Sequence, residues 1–286
     1  MERQLARRPG ATADSLAVTS PGRPTASTTG TYVYGVMRSR NEPVVPSRLK
    51  GLPRTGAIRP LSVADDIWLI VANAPSGHYS AEAIERGLRD LDWVSACAGR
   101  HESVVERLAA KGTFAPTKLF TIFENDARAR ASIGSDLARI EAVLDRIEGR
   151  HEWGVRVLLD EGRALSHARE RSPKTVGRAR GTGATFLARK KAERDAARTV
   201  LLEGRRAMGG VFTAIARQAD AARRRGPTPA EAGTRLLLDA AFLVAIRDTA
   251  RFKSAVDKIG RDIGRRGYDL TLTGPWPPYS FVGERE

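Results

Sequence analysis

Residues 133–160 read IGSDLARIEAVLDRIEGRHEWGVRVLLD, and the fold class turns on this stretch. Ile133, Leu137, Ile140, Leu144 and Ile147 recur at steps of four, three, four and three, which lines one face of an α-helix. The spacing predicts a single helix from about Asp126 to Glu148, ended by Gly149, a residue free to take the left-handed turn of a helix terminus. The period then changes. From Trp153 to Asp160 the residues are β-branched and partly alternate, as a strand does. This switch of period across a glycine places a domain boundary near Gly149.

Toward the N-terminus, Lys118 to Phe123 reads as a strand and Glu102 to Ala110 as a helix carrying Val104, Val105 and Leu108. Ser80 suits the cap of a helix with Ile84, Leu88 and Leu91 along one side. Ile67 to Val71 is a continuous apolar run, the pattern of a strand buried on both faces. Tyr32 to Met37 is an aromatic and β-branched strand, separated from it by a loop with Pro43, Pro46, Pro53 and Pro60. Residues 1–30 hold few sizeable apolar side chains and read as a disordered basic tail. They lack the apolar core of a secretory signal.

Toward the C-terminus, residues 161–182 read as a basic Gly/Ser/Pro loop. About Ala184 to Arg225 reads as a long helix, broken at Gly209-Gly210 and stopped by Pro227 and Pro229, with Phe186, Leu201, Met208, Val211, Phe212 and Ile215 on its apolar side. Leu236 to Ile246 reads as a strand buried on both faces, and Thr249 to Arg266 as a helix closed by Gly267. Tyr268 to Thr273 alternates as a half-buried strand. The order is β…β-α-α-β-α followed by β-α-β-α-β. It predicts an α+β protein of two domains, residues 31–149 and 150–286, each a small sheet with helices on one face.

Composition narrows the class. In 286 residues, 48 Lys+Arg stand against 33 Asp+Glu, a net charge of +15, and 41% hydrophobic residues suffice for a real core. No stretch approaches the roughly 18 uncharged apolar residues of a membrane span. The most apolar segment, Leu236 to Ile246, is short and interrupted by Asp239. A single cysteine, Cys97, excludes an internal disulfide and a multi-cysteine metal site, and fits a reducing cytosol. The positive charge is concentrated between Arg171 and Arg225, with 15 Lys+Arg and 4 Asp+Glu. Such a run is either a solvated helix face or a field that attracts nucleic acid, an anionic membrane surface or an acidic partner.

The motifs of known chemistries are missing. His78, His101, His151 and His167 have no second histidine four residues away, and His151-Glu152 opens like a zincin motif without its closing histidine. Gly181-Thr182-Gly183-Ala184-Thr185-Phe186 lacks the third glycine and the preceding strand of a dinucleotide fingerprint. There is no Gly-Lys-Ser/Thr loop and no Gly-x-Ser-x-Gly elbow. Ser47 to Lys50 matches Ser-x-x-Lys only as a short pattern in a Pro-rich loop, and Cys97, between two alanines, reads as a small packed residue. The basic segment contains only Phe186 and Phe212 as aromatics, so it lacks the exposed rings that stack on bases. No catalytic residue, cofactor site or metal site is assigned.

The most specific stretch is Leu272-Thr273-Gly274-Pro275-Trp276-Pro277-Pro278-Tyr279-Ser280-Phe281-Val282. Gly274 and three prolines end the last strand and stiffen an extended segment. Trp276, Tyr279 and Phe281 then offer large rigid surfaces. They either fold back onto the protein's own sheet, the reading favoured for Trp276, or form a docking strip for a partner.

This ending closely resembles that of the gas vesicle protein F/L family. Tyr32-Val33-Tyr34-Gly35-Val36, Glu152-Trp153-Gly154-Val155-Arg156-Val157, Gly183 to Lys191 and Asp239 to Val244 are similar to further family segments in the same order. The resemblance spans about residues 31 to 282. It departs at Lys118, where the family usually has Arg, and at Leu119-Phe120, where it usually has Phe-Gly. It implies a cytoplasmic, non-enzymatic gas vesicle protein of two α+β domains, the second ferredoxin-like with a long inserted helical segment. The implied partners are the small hydrophobic shell protein and other minor gas vesicle proteins, with no cofactor. Trp276, Tyr279 and Phe281 with Arg189, Lys190 and Lys191 are the expected contacts. The alternative from charge alone is a polyanion-binding protein without sequence specificity.

Overall fold

The computed structural model describes residues 29–171, 183–226 and 234–283. The chain opens with β1 (Thr29–Arg38), β2 (Arg59–Ala64) and β3 (Ile67–Pro75). Short helices α1 (Ser76–Tyr79) and α2 (Ala81–Gly87) lead into α3 (Leu91–Ala109). Two short strands, β4 (Phe114–Pro116) and β5 (Ile122–Phe123), precede α4 (Asp126–Gly134) and α5 (Leu137–Ile147). Then follow β6 (Arg150–Asp160), α6 (Glu161–Arg171), α7 (Gly183–Ala216) and β7 (Ala221–Arg224). The last elements are β8 (Thr234–Ala245), α8 (Thr249–Gly264), β9 (Tyr268–Trp276) and the one-turn α9 (Tyr279–Val282).

The strands form two antiparallel sheets, so the protein is α+β. The first is ordered β2-β3-β1-β4, with β5 pairing β1 further along the same strand. The second is ordered β7-β8-β6-β9, with every pair antiparallel. Its succession, with the long helical insertion between β6 and β7, is compatible with a ferredoxin-like arrangement.

Alternation on β6 explains how the second sheet is covered. Trp153, Val155, Val157 and Leu159 point to one face and pack with Phe242 of β8, Met208 and Ile215 of α7, and Phe252 and Val256 of α8. Ala241 and Leu243 point the other way and join a second cluster, with Val33, Leu69 and Val71 of the first sheet and Leu144 of α5. The remaining face of the first sheet carries Tyr32, Tyr34 and Ile70 against Val104, Val105 and Leu108 of α3. Helices thus lie on one face of the second sheet but on both faces of the first, which accounts for the continuous apolar run of β3.

Several elements differ from the sequence reading. The stripe from Ile133 to Ile147 belongs to two helices, because Gly134, Ser135 and Asp136 are three poor helix formers in a row. Glycines at the predicted ends do hold left-handed turns, Gly149 with φ 63° and Gly267 with φ 86°. Helix α7 runs through Gly209-Gly210 unbroken and stops at Ala216. Ala221 to Arg224, read as helix, instead pairs with β8 as an edge strand. Residues 161–171, read as loop, are helical. Arg59 to Ala64 is a strand hidden in the sequence by Pro60. Lys118 to Thr121 is a turn between β4 and β5, and Phe120 adopts φ 64° at the position where the family resemblance has glycine. Trp93 stacks on its ring at 5.2 Å and helps to hold it there. Ser80 caps α2 as expected, accepting the Ala83 N–H, but Leu88 and Leu91 are exposed beyond the end of that helix. Residues 1–28 of the N-terminal tail, the 172–182 loop, Pro227 and Pro229 lie outside the described residues, whereas Thr29 and Gly30, read as the end of the tail, open β1.

Candidate functional site: the C-terminal clasp and its groove

Strand β9 bulges at Gly274, where φ is 122° and the bond to Pro275 is cis, before Trp276 pairs with Glu152 as the last residue of the strand. A Cβ at this position would lie 2.9 Å from the Glu152 carbonyl oxygen, so the bulge needs glycine. Pro277 and Pro278 are buried beyond it. The chain then tightens into α9, with the Phe281 N–H donating to the Pro278 carbonyl at 3.0 Å.

Three consecutive residues of α9 attach to three different elements. The Tyr279 hydroxyl donates to Glu102 of α3 at 3.0 Å. Ser280 donates to both oxygens of Glu152 on β6, its N–H at 2.7 Å and its hydroxyl at 2.8 Å. Phe281 is 6% exposed and packs in the cluster shared by both sheets, while its carbonyl accepts from Arg146 of α5. The segment is therefore a clasp across the two halves of the molecule.

A charged network anchors the clasp. Glu152 is 2% exposed and also accepts from Arg225 at 2.6 Å. The same guanidinium lies 3.5 Å from Asp239, and Arg156 donates to the other Asp239 oxygen at 3.1 Å. Two carboxylates removed from water are thus matched by two guanidiniums, as buried charge requires. Sequence reasoning met these residues separately: Glu152 in a failed zincin motif, Asp239 as an interruption of a strand, Arg225 as the end of a helix. No local spacing connects them.

Beside the clasp lies a groove of about 880 Å³, bordered by Pro275, Trp276, Pro277, Ile246, Lys111 and Arg150. Trp276 is 41% exposed and Ile246 53%, which makes them its accessible apolar surface. The order among the C-terminal aromatics is the reverse of the fold-back reading: Trp276 faces outward, Phe281 is core and Tyr279 is half-buried. Arg189, Lys190 and Lys191 are exposed on α7, with Arg189 3.6 Å from Glu193. No hydrogen bond, ion pair or apolar cluster joins these three cations to the clasp among the described residues. Phe186, expected on the apolar side of its helix, is exposed, whereas Phe212 packs 5.8 Å from Phe242.

A second polar cluster lies under Tyr279. The ring of buried His101 is 6.4 Å from that of Tyr279, and its Nδ1 is 2.7 Å from the Tyr32 hydroxyl. Its Nε2 faces the Thr117 carbonyl at 3.2 Å. Burial pushes the His101 pKa down to about 4, despite the opposing carbonyl bond. Burial raises the Glu102 carboxyl, partly offset by the Tyr279 hydroxyl, and raises Tyr279 itself. These groups serve packing: Tyr32, Tyr34 and His101 interlock ring on ring. Among the described residues no group of three or more His, Cys, Asp or Glu is placed to hold a metal ion. No helix among them is long and apolar enough to cross a membrane.

Two antiparallel sheets, bridged by a short clasp that borders an open groove of mixed polarity, define an α+β protein. The family described as gas vesicle synthesis protein GvpL/GvpF matches residues 30–283, and the chain belongs to it. It is 30% identical over 266 residues to gas vesicle protein L of Streptomyces sp. (strain CB03234), covering 89% of this chain and 93% of that protein. Gas vesicle protein F of the same strain is 28% identical over 261 residues, covering 88% and 99%. Among solved structures, the crystal structure of GvpF from Anabaena sp. PCC7120 is similar with a TM-score of 0.63 at 16% identity, over 90% of this chain and all of that one (100%). GvpF from Microcystis aeruginosa follows at 0.61 and 15% identity, over 89% and 99%. At such identities the structural likeness shows the fold.

Proposed function

We propose that this chain binds the small hydrophobic shell protein of gas vesicles in the cytoplasm and assists vesicle formation without catalysing a reaction. The observation that carries the reading is the groove, where Trp276 and Ile246 stand exposed on a frame closed by the clasp. A subunit that will line an apolar wall exposes apolar surface before it polymerises, and such surface aggregates. A preformed groove covers part of that surface with little ordering cost, since the clasp already holds its border in place. Arg189, Lys190 and Lys191 supply the basic contacts to acidic groups of the shell protein, while Tyr279 and Phe281 act from inside by holding Trp276 at the rim. In this reading the halves on either side of Gly149, residues 31–149 and 150–286, act as two domains that share an apolar cluster and both contribute residues to the groove. Other minor gas vesicle proteins are further partners.

Co-expression with the shell protein tests this. Wild-type chain is expected to keep the shell protein in solution and to co-purify with it at raised salt. Trp276→Ala, at a partly exposed site, is expected to weaken co-purification while lowering the melting temperature less than Phe281→Ala does. Phe281→Ala removes a buried ring and is expected to cost about 3–5 kcal/mol of stability, with binding lost alongside. If Trp276→Ala binds as wild type does, the groove is not the interface. Retention of nucleic acid that salt abolishes, with no shell-protein binding, would favour the polyanion reading.

A further inference from the structure

The two sheets present four edges among the described residues, and three of them are guarded. Strand β2 carries Arg59 and Pro60, has an irregular register after Ser62 and packs with α4. The edge beside β1 is divided into β4 and β5, of 3 and 2 residues. Strand β7 has 4 residues and ends in Arg223 and Arg224. The fourth edge, β9, has 9 residues and keeps an unbroken register from Thr273 opposite Gly154 to Tyr268 opposite Leu159. No proline lies within that run, and its single charge, Asp269, is ion-paired with Arg163. An unguarded edge of this kind is a template for another strand.

The hydrogen bonds reveal which groups are free. Asp160 N–H donates to the Gly267 carbonyl and, across β6, Ile246 N–H donates to the Gly149 carbonyl, each at 3.0 Å. Bonded pairs alternate along an antiparallel ladder, so Asp269, Thr271 and Thr273 bond toward β6. The N–H and C=O groups of Leu270 and Leu272 therefore point outward, and no backbone bond outside the sheet ladders reaches them among the described residues.

We propose that β9 pairs with β9 of a second copy of this chain, antiparallel about a two-fold axis at Thr271, so that the two second sheets become one continuous sheet. The strand is self-complementary in this register. Leu270 faces Leu272 of the other copy, and these pairs exchange the outward hydrogen bonds. Asp269 faces Thr273, so no like charges meet, and Thr271 faces itself. On the solvent side Asp269, Thr271 and Thr273 are exposed, whereas Leu270 and Leu272 pack partly beneath the helices. One patch meeting its own copy is the isologous contact of a closed dimer. The proposal rests on the β9 edge alone and stands or falls independently of shell-protein binding.

Cysteine cross-linking of the full chain tests the register. The native Cys97 is buried, so Thr271→Cys adds an accessible thiol at an exposed position. Opposed residues at a non-bonded antiparallel pair have Cα atoms about 4.5 Å apart, within disulfide reach. Mild oxidation is expected to link Thr271→Cys into covalent dimers and to leave Thr273→Cys, which faces Asp269, unlinked. In sedimentation the wild type is expected to be dimeric at micromolar concentration. Thr271→Lys and Thr271→Asp should each be monomeric but form a dimer when mixed. A monomeric wild type, a dimeric Thr271→Lys, or equal cross-linking at both positions would overturn the proposal.

Discussion

Acidification from about pH 7 to about pH 4 is expected to cost the native state about 3 kcal/mol through His101 alone. The hydrogen-bond partners dictate the neutral tautomer. The Thr117 carbonyl can only accept, so Nε2 carries the proton. Nδ1 must then accept the Tyr32 hydroxyl, whose oxygen in turn accepts the Phe120 N–H at 3.4 Å. Protonating Nδ1 forces the Tyr32 hydroxyl to turn its proton elsewhere and places a charge on a ring that is 3% exposed. With a native pKa of about 4 against 6.5 in the unfolded chain, the unfolded state binds the proton first. Stability is therefore complete above pH ~6.5, falls as pH drops through the window between the two values, and levels off below the native one. The difference of about 2.5 units, at about 1.4 kcal/mol each, is roughly 3 kcal/mol once pH 4 is reached. The assay is urea denaturation of wild type and His101→Gln across this range. The variant cannot titrate there, and the other groups, including half-buried His151 whose pKa is also lowered by burial, are common to both chains. Wild-type stability should fall more steeply than that of the variant by the stated amount. Parallel pH profiles, or a His101 resonance titrating near the free-histidine value, would refute the reasoning.

Arg225→Met leaves Glu152 without its cation and removes one from Asp239, and is expected to cost about 3–5 kcal/mol in urea denaturation. Adding Glu152→Gln should recover part of that loss, because the uncompensated charge disappears while an acceptor for Ser280 remains. Gly35→Ala places a Cβ 2.5 Å from both the Ala115 carbonyl oxygen and the Phe114 ring, next to the irregularity in β1. It should lower the melting temperature, with a cost of about 1–3 kcal/mol.

Local pattern was a reliable guide where one face of an element is buried. The alternation from Trp153 to Leu159 and the run from Ile67 to Val71 are both strands as read, because burial imposes that period. It failed where backbone pairing outweighed side-chain preference. Ala221 to Arg224 has the composition of a helix, yet it forms an edge strand because β8 offers a free row of partners. Leu88 and Leu91 completed a plausible stripe, but α2 ends at Gly87 and leaves them in solvent. At the candidate site the rigid Pro and aromatic segment was visible in the sequence, whereas its role as a clasp was not. Tyr279, Ser280 and Phe281 are neighbours in the chain, but their partners Glu102, Glu152 and Arg146 lie more than a hundred positions away.

The sequence by itself determined the α+β class, the principal strands and helices, the glycine turns at Gly149 and Gly267, and the family to which the chain belongs. These follow from side-chain periodicity, backbone freedom at glycine and motifs that are contiguous in the chain. Only the tertiary structure decided that Phe281 is core while Trp276 borders a groove, that Glu152, Arg225 and Asp239 share one buried network, and that β9 is left as an open edge. Those features arise from residues far apart in sequence, and which of them meet is set by how the two sheets pack.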